Sequence, residues 1–280
     1  MTDISSHSSH GVEGSGGLML TEHGYTLDFD FQPLGSGTQT ITFRIVGPDG
    51  QPVNEFTPTH EKELHLIAIR RDMTGFQHVH PIMDQSGTWT IDLELTSGPW
   101  RIFTDFHPTG HDGPMTLSIE ASVSGEYIPQ PLPGIGQSVE VGDYTVTLEG
   151  RLLPGEASEL TFSVARNGQP VTDLQPYLGA FGHLVALRVE DLAYLHVHPE
   201  GEPGDGTTQP GPEVSFMAIA PSAGLYRLHL DFQHEGAIIT AQFTARATGT
   251  VAEGLAAEAG TRPGKPGEES HGNHGSHHHA

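Results

Sequence analysis

The chain is written twice, and that duplication limits the fold more than any other feature. Tyr25–Asp30 (YTLDFD) reads over Tyr144–Glu149 (YTVTLE) at an offset of 119 residues. ITFRIVGPDGQPV (41–53) over LTFSVARNGQPV (160–171) begins at 119 and ends at 118, because one residue is lost where PDG becomes NG. Turns absorb such changes in length. The offset of 118 then holds through His65/His183, His78/His196, His80/His198 and Pro81/Pro199. Extra residues in the Gly/Pro-rich stretch Gly201–Pro212 raise it to 126, where GPWRIFTDF (98–106) matches GLYRLHLDF (224–232). A register kept through two loop-sited length changes marks a duplicated domain.

Each copy reads as β. TLDFDF, TITFRIV, ELHLIAI, TWTIDLEL, WRIFTDF and MTLSIEASV are short and rich in Thr, Val, Ile and aromatics, and GSG, GPDG, SGP and PTGHDG divide them. Alternation along Trp100–Phe106 puts Trp100, Ile102 and Phe106 on one face, and Asp105 with His107 on the other. About seven such strands in ~110 residues predict an all-β fold of two tandem immunoglobulin-like sandwiches, with a small barrel as the second choice. Residues 126–137, centred on YIPQPLPGIG, read as a stiff Pro-rich linker between domains at 18–125 and 138–247. Residues 1–17 and 248–280 have too few apolar side chains to offset chain entropy and are expected to be disordered.

Charge narrows the partners. With 12 Lys plus Arg against 35 Asp plus Glu, the formal charge is −23. That disfavours nucleic-acid backbones and anionic lipid, both of which need clustered basic residues. The absence of cysteine excludes disulfides, thiolate metal sites and thiol catalysis. No apolar run is long enough for a membrane-spanning segment. The opening MTDISSHSSHGVEGSGG lacks the basic and apolar regions of a signal peptide. No nucleophile elbow or phosphate-cradling loop is present.

What stands out is 19 histidines, unevenly spread. The first copy holds His65 and then His78-Val79-His80-Pro81; the second holds His183 and then His196-Val197-His198-Pro199. In a strand, residues i and i+2 share a face. Thirteen residues, about two strands and a turn, can return each pair beside the earlier histidine. Three imidazoles converging without cysteine suit copper, with zinc as the alternative. Asp105, His107, Asp231 and His234 are candidates for a fourth ligand, with His111 and His229 as further ones, and an Asp can instead fix a ligand's tautomer. Met73 and Met83 offer thioethers to one site at most. Isolated residues such as His60 and His229 read as surface or hydrogen-bonded groups. The tail HGNHGSHHHA (271–280) reads as a low-affinity arm that collects metal.

The strings HEKELHLIAIRRD, GFQHVHP, DLQPYLGAFGHLVALR, DLAYLHVHPEGEPGDG and APSAGLYRLHLDFQH resemble a family of duplicated bacterial cell-envelope proteins of actinobacteria and deinococci. Many of these are labelled heavy-metal or copper binding. The resemblance covers about residues 20–247. It implies an extracytoplasmic or envelope location, with an export signal outside this chain, and other envelope proteins as partners beside the metal ion. More loosely, the His-x-His strands with His65 and His183 are similar in kind to the copper site of copper-only superoxide dismutases. The match lacks their disulfide, chain order and active-site Arg. Three functions follow as expectations: copper sequestration or delivery, a superoxide dismutase-like enzyme, or a structural immunoglobulin-like envelope module.

Overall fold

The computed structural model describes residues 16–30, 33–195 and 197–249. Its regular elements are all strands. The first copy contains β1 (Thr21–Glu22), β2 (Tyr25–Phe29), β3 (Gly37–Val46), β4 (Leu64–Arg70), β5 (Gln77–Val79), β6 (Ile82–Met83), β7 (Thr88–Leu95), β8 (Gly98–Phe106) and β9 (Met115–Val123). The second contains β10 (Ser138–Val141), β11 (Tyr144–Gly150), β12 (Ala157–Arg166), β13 (Gln169–Pro170), β14 (His183–Arg188), β15 (Tyr194–Leu195), β16 (Val197–Pro199), β17 (Glu213–Ile219), β18 (Gly224–His234) and β19 (Ala237–Ala247). Among the described residues no helix is long and apolar enough to cross a membrane.

Both copies are immunoglobulin-like sandwiches of two antiparallel sheets. In the first, β1-β2-β3-β7-β6 packs over β5-β4-β8-β9; in the second, β10-β11-β12-β17-β16, with β13 beside β12, packs over β15-β14-β18-β19. The repeated sequence register reappears as repeated strand pairing. Trp100, Ile102 and Phe106 enter the first core, and their counterparts Tyr226, Leu228 and Phe232 enter the second.

The two four-stranded sheets are buried on both faces. On β4, Leu64, Leu66 and Ala68 point into the first core; on β14, Leu184 and Ala186 point into the second. The intervening residues Ile67, Ile69, Val185 and Leu187 join Met73, Phe103 and Leu192 in a third apolar cluster between the domains. Burying each such side chain is worth about 1.5–3 kcal/mol. Seven of them far outweigh a surface salt bridge, so the domains dock as one body through equivalent sheets. Met73, a thioether candidate, is therefore part of this apolar cluster, and Met83 packs against the first core.

Chain segments outside the sandwiches tighten the docking. Gly16 accepts a hydrogen bond from Tyr194 N (2.7 Å), and Met19 O accepts one from Ser118 N (2.9 Å), so residues 16–17 belong to the fold. Gly17, at φ +68°, fits where a Cβ would sit 2.8 Å from Thr116 Cγ2. Along the Pro-rich connection, Gln130 N donates to Asp72 Oδ2 (2.8 Å) and Pro133 O accepts from Thr244 Oγ1 (2.9 Å).

Candidate metal centre

The odd-numbered face of β4 that carries Ile67 and Ile69 also carries His65, paired across to Asp105 on β8. Its counterpart His183 on β14 is paired across to Asp231 on β18. Both His–Asp pairs thus lie on faces that meet between the domains. Each Asp is held by the facing strand: Thr116 Oγ1 donates to Asp105 Oδ1 (3.2 Å), and Thr240 Oγ1 donates to Asp231 Oδ1 (2.5 Å).

Strand β5 brings His78 opposite Ile67, on the same face as His65. His80 is not on that strand. It lies where the chain leaves β5 and crosses to β6 in the other sheet, at a proline that cannot donate to a ladder. The two histidines of the motif therefore converge by a sheet-to-sheet crossing. His65 Nδ1 stands 3.1 Å from His78 Nε2 and 3.1 Å from His80 Nε2. One nitrogen from each of the three rings lies within 4.8 Å of the others. Two nitrogens each about 2.0–2.1 Å from a tetrahedral ion stand about 3.3 Å apart. The set can hold a metal ion.

Proton bookkeeping sharpens this. His65 Nε2 donates to the carbonyl of Thr59 (2.9 Å), so a neutral ring presents a lone pair at Nδ1. His78 Nδ1 donates to Asp231 Oδ2 of the second domain (2.9 Å), which leaves its lone pair at Nε2. The two lone pairs face each other. They repel unless a cation, either a proton or a metal ion, lies between them.

The carbonyl that orients His65 comes from a two-residue hairpin. Thr59 and Lys62 exchange backbone hydrogen bonds, and the central residues His60 and Glu61 have φ of 48° and 65°. Positive φ at both positions is the pattern of a type I′ turn, at roughly 1–2 kcal/mol per non-Gly residue. The second copy repeats the device: Tyr177 and Ala180 flank Leu178 and Gly179, at φ 54° and 77°, and His183 Nε2 donates to Tyr177 O (2.8 Å). His183 is thereby left with its lone pair at Nδ1. His196 lies outside the described residues. His198 lies on β16, in the other sheet of its domain.

Between the domains is a cavity of about 160 Å³ whose walls include His60, His65, His78, Asp105, His183 and His198. The other candidates are placed elsewhere. His107 Nε2 donates to His111 O (3.0 Å), and His234 lies between Tyr144 OH (2.8 Å) and Asp173 Oδ1 (3.1 Å). Neither belongs to the clustered set. Asp231 touches the cluster through His78, as an orienting carboxylate supplied by the other domain. His60 was hidden in the sequence because its counterpart is Leu178, so repetition gave no signal. His229 is fully buried, stacked 3.8 Å over Phe76, and neither ring nitrogen has a hydrogen-bond partner among the described residues.

Residues 21–123 and 138–249 each match a family described as a domain of unknown function, DUF8832. The chain belongs to this family. No curated protein matches it. Among solved structures, it is similar to MtrC from Shewanella baltica, at 7% identity over 79% of this chain and 68% of that one, with a TM-score of 0.26. It is also similar to the D00-D0 domain of intimin, at 10% identity over 80% of this chain and 100% of that one, with a TM-score of 0.23. Invasin, a bacterial integrin-binding protein, gives 12% identity over 79% and 39%, with a TM-score of 0.23. At these values none bears on function.

Burial disfavours the charged form of three imidazoles of this DUF8832 pair. It pushes His65 to about 3, against the hydrogen bond to Thr59 O; it pushes His80 to about 3, helped by His78; and it pushes His183 to about 4. Each ring binds fewer protons folded than unfolded below its ordinary 6.5, so each costs stability as pH falls from 6.5 toward 3–4. Asp105 acts oppositely: burial raises it to about 6, so it gains a proton in the folded state first. One carboxyl does not offset three rings. The urea midpoint of the metal-free protein is expected to fall steadily from pH 6.5 to pH 4; a flat midpoint over that window would count against neutral, buried rings.

Proposed function

We propose that this protein is an extracytoplasmic copper-binding protein that sequesters or delivers the ion through its duplicated histidine sets. The observation that carries the reading is the pair of opposed lone pairs on His65 and His78, with His80 completing the group. A proton between two rings would satisfy one pair of nitrogens. A metal ion satisfies all three. The donors are imidazole alone, and for such ligands the divalent series peaks at copper, above zinc. The envelope location and envelope partners rest on the sequence resemblance.

The enzyme reading is less well supported. Superoxide would need a positive field at the cavity. Arg70 is paired with Asp72, Arg188 with Asp191 and Arg101 with Glu120, while Arg71 donates to Val189 O and Glu190 O. Arg227 is buried against Thr244 and Gln242. The structural reading keeps the apolar docking of the domains as its own support.

The test is a competition between Cu(II) and Zn(II) for the full chain, with His271, His274, His277, His278 and His279 replaced by Asn. Copper is expected to displace zinc by at least tenfold, and the copper form to turn over superoxide no faster than free copper. Tighter zinc would make this a zinc site, and rapid turnover would favour the enzyme.

A further inference from the structure

We propose that an ion on His65, His78 and His80 keeps its fourth position open to the interdomain cavity, where it takes a small exchangeable ligand from solvent, water or an azide-sized anion, in place of a side chain. The proposal rests on the metal-binding reading and deepens it by naming what completes the site. Its first support is the donor count. Among the described residues the group closes at three, since no further histidine or carboxylate brings a ligand atom into it. Zn(II) and Cu(II) each take at least a fourth donor. The two carboxylates of these sheet faces are engaged elsewhere, Asp231 by His78 and Thr240 and Asp105 by Thr116.

The second support is direction. His65 and His78 stand on the face of their sheet that meets the other domain, and both line the cavity. His80 is not among the residues lining it; that ring closes the group from the side where the chain crosses to β6. An ion held by the three rings therefore has its free side toward the cavity. The third support is room and lining. The cavity's 160 Å³ holds a water, whose share of the liquid is about 30 Å³, or a small anion, and lies below the roughly 300 Å³ at which pockets for drug-sized ligands begin. His60, Asp105, His183 and Tyr194 give its wall polar groups beside the apolar Leu184 and Val185. His183 commits Nε2 to Tyr177 O, so its Nδ1 is an acceptor available to a protic ligand.

The test uses the full chain with the five tail histidines replaced by Asn, loaded with one equivalent of Cu(II) and titrated with azide. Electron paramagnetic resonance and azide-to-copper charge-transfer absorption report ligand exchange, and copper content after desalting reports retention. Azide is expected to shift both spectra saturably with the copper retained. His60→Trp narrows the cavity and leaves all three ligands in place, so azide should bind about tenfold or more weakly. His60→Gly suits the turn at φ 48° and widens the cavity, so imidazole should bind this variant's copper more tightly than the parent's. A parent that holds copper while azide leaves its spectra unchanged, or only strips the metal, overturns the open position and leaves the copper reading standing. So does azide bound equally by parent and His60→Trp. Should His60→Trp not fold, His60→Gly decides, and no gain for imidazole counts against the cavity. If the parent binds no copper, both readings fall.

Discussion

Replacing His78 and His80 together by Ala should weaken binding of the ion at His65 about 10⁴-fold. Imidazole and thiolate sites hold structural ions with roughly 10–16 kcal/mol spread over a few ligands. One ligand is then worth about 3 kcal/mol, or about a hundredfold, and two about ten-thousandfold. His78 and His80 both meet the Nδ1 of His65, so their loss leaves a single donor at that point. The loss should be local. Neither ring belongs to an apolar core cluster, and β5 pairs with β4 through its backbone. Copper affinity measured by chelator competition, beside a thermal melt, separates the two effects. A double variant that folds and binds as the parent does would remove these rings from the site.

Asp231→Ala should weaken the same ion by about 10–100-fold, although Asp231 is 153 residues from His78 and in the other domain. Without the carboxylate, His78 is free to take the other tautomer and to rotate. Its Nε2 lone pair is then no longer held toward His65. Asp231→Asn keeps the volume and an acceptor oxygen but not the charge, so its effect should fall between the parent and Asp231→Ala. That graded series distinguishes orientation of His78 from a packing role, which would track melting temperature instead. An unchanged affinity in Asp231→Ala would mean that the interdomain contact does not set the tautomer.

The fold was legible where repetition and alternation act together. Trp100, Ile102 and Phe106 fall on the core face as their spacing requires, and the paired strands recur at the repeat's offsets. The docking of the domains was written less plainly. LHLIAI on β4 and HLVAL on β14 are apolar at odd and even positions alike, which is the mark of a strand covered on both faces. The run is unbroken from Leu66 to Ile69, but nothing in it names the partner surface. His65, His78 and His80 could be chosen by type and spacing. The manner of their convergence could not, because a strand rule places His80 beside His78, whereas the chain has already left the sheet. The place of His60 in the cavity wall needed coordinates, because it depends on a turn conformation that a local pattern does not encode.

The central claim is that one ion sits among three imidazoles at the domain boundary. Anomalous diffraction at the copper edge from crystals of the full chain grown with Cu(II) tests it most directly. The account predicts a peak about 2.0–2.2 Å from His65 Nδ1, His78 Nε2 and His80 Nε2. Ordered copper found only elsewhere, with these rings as close as before and nothing between them, would contradict it.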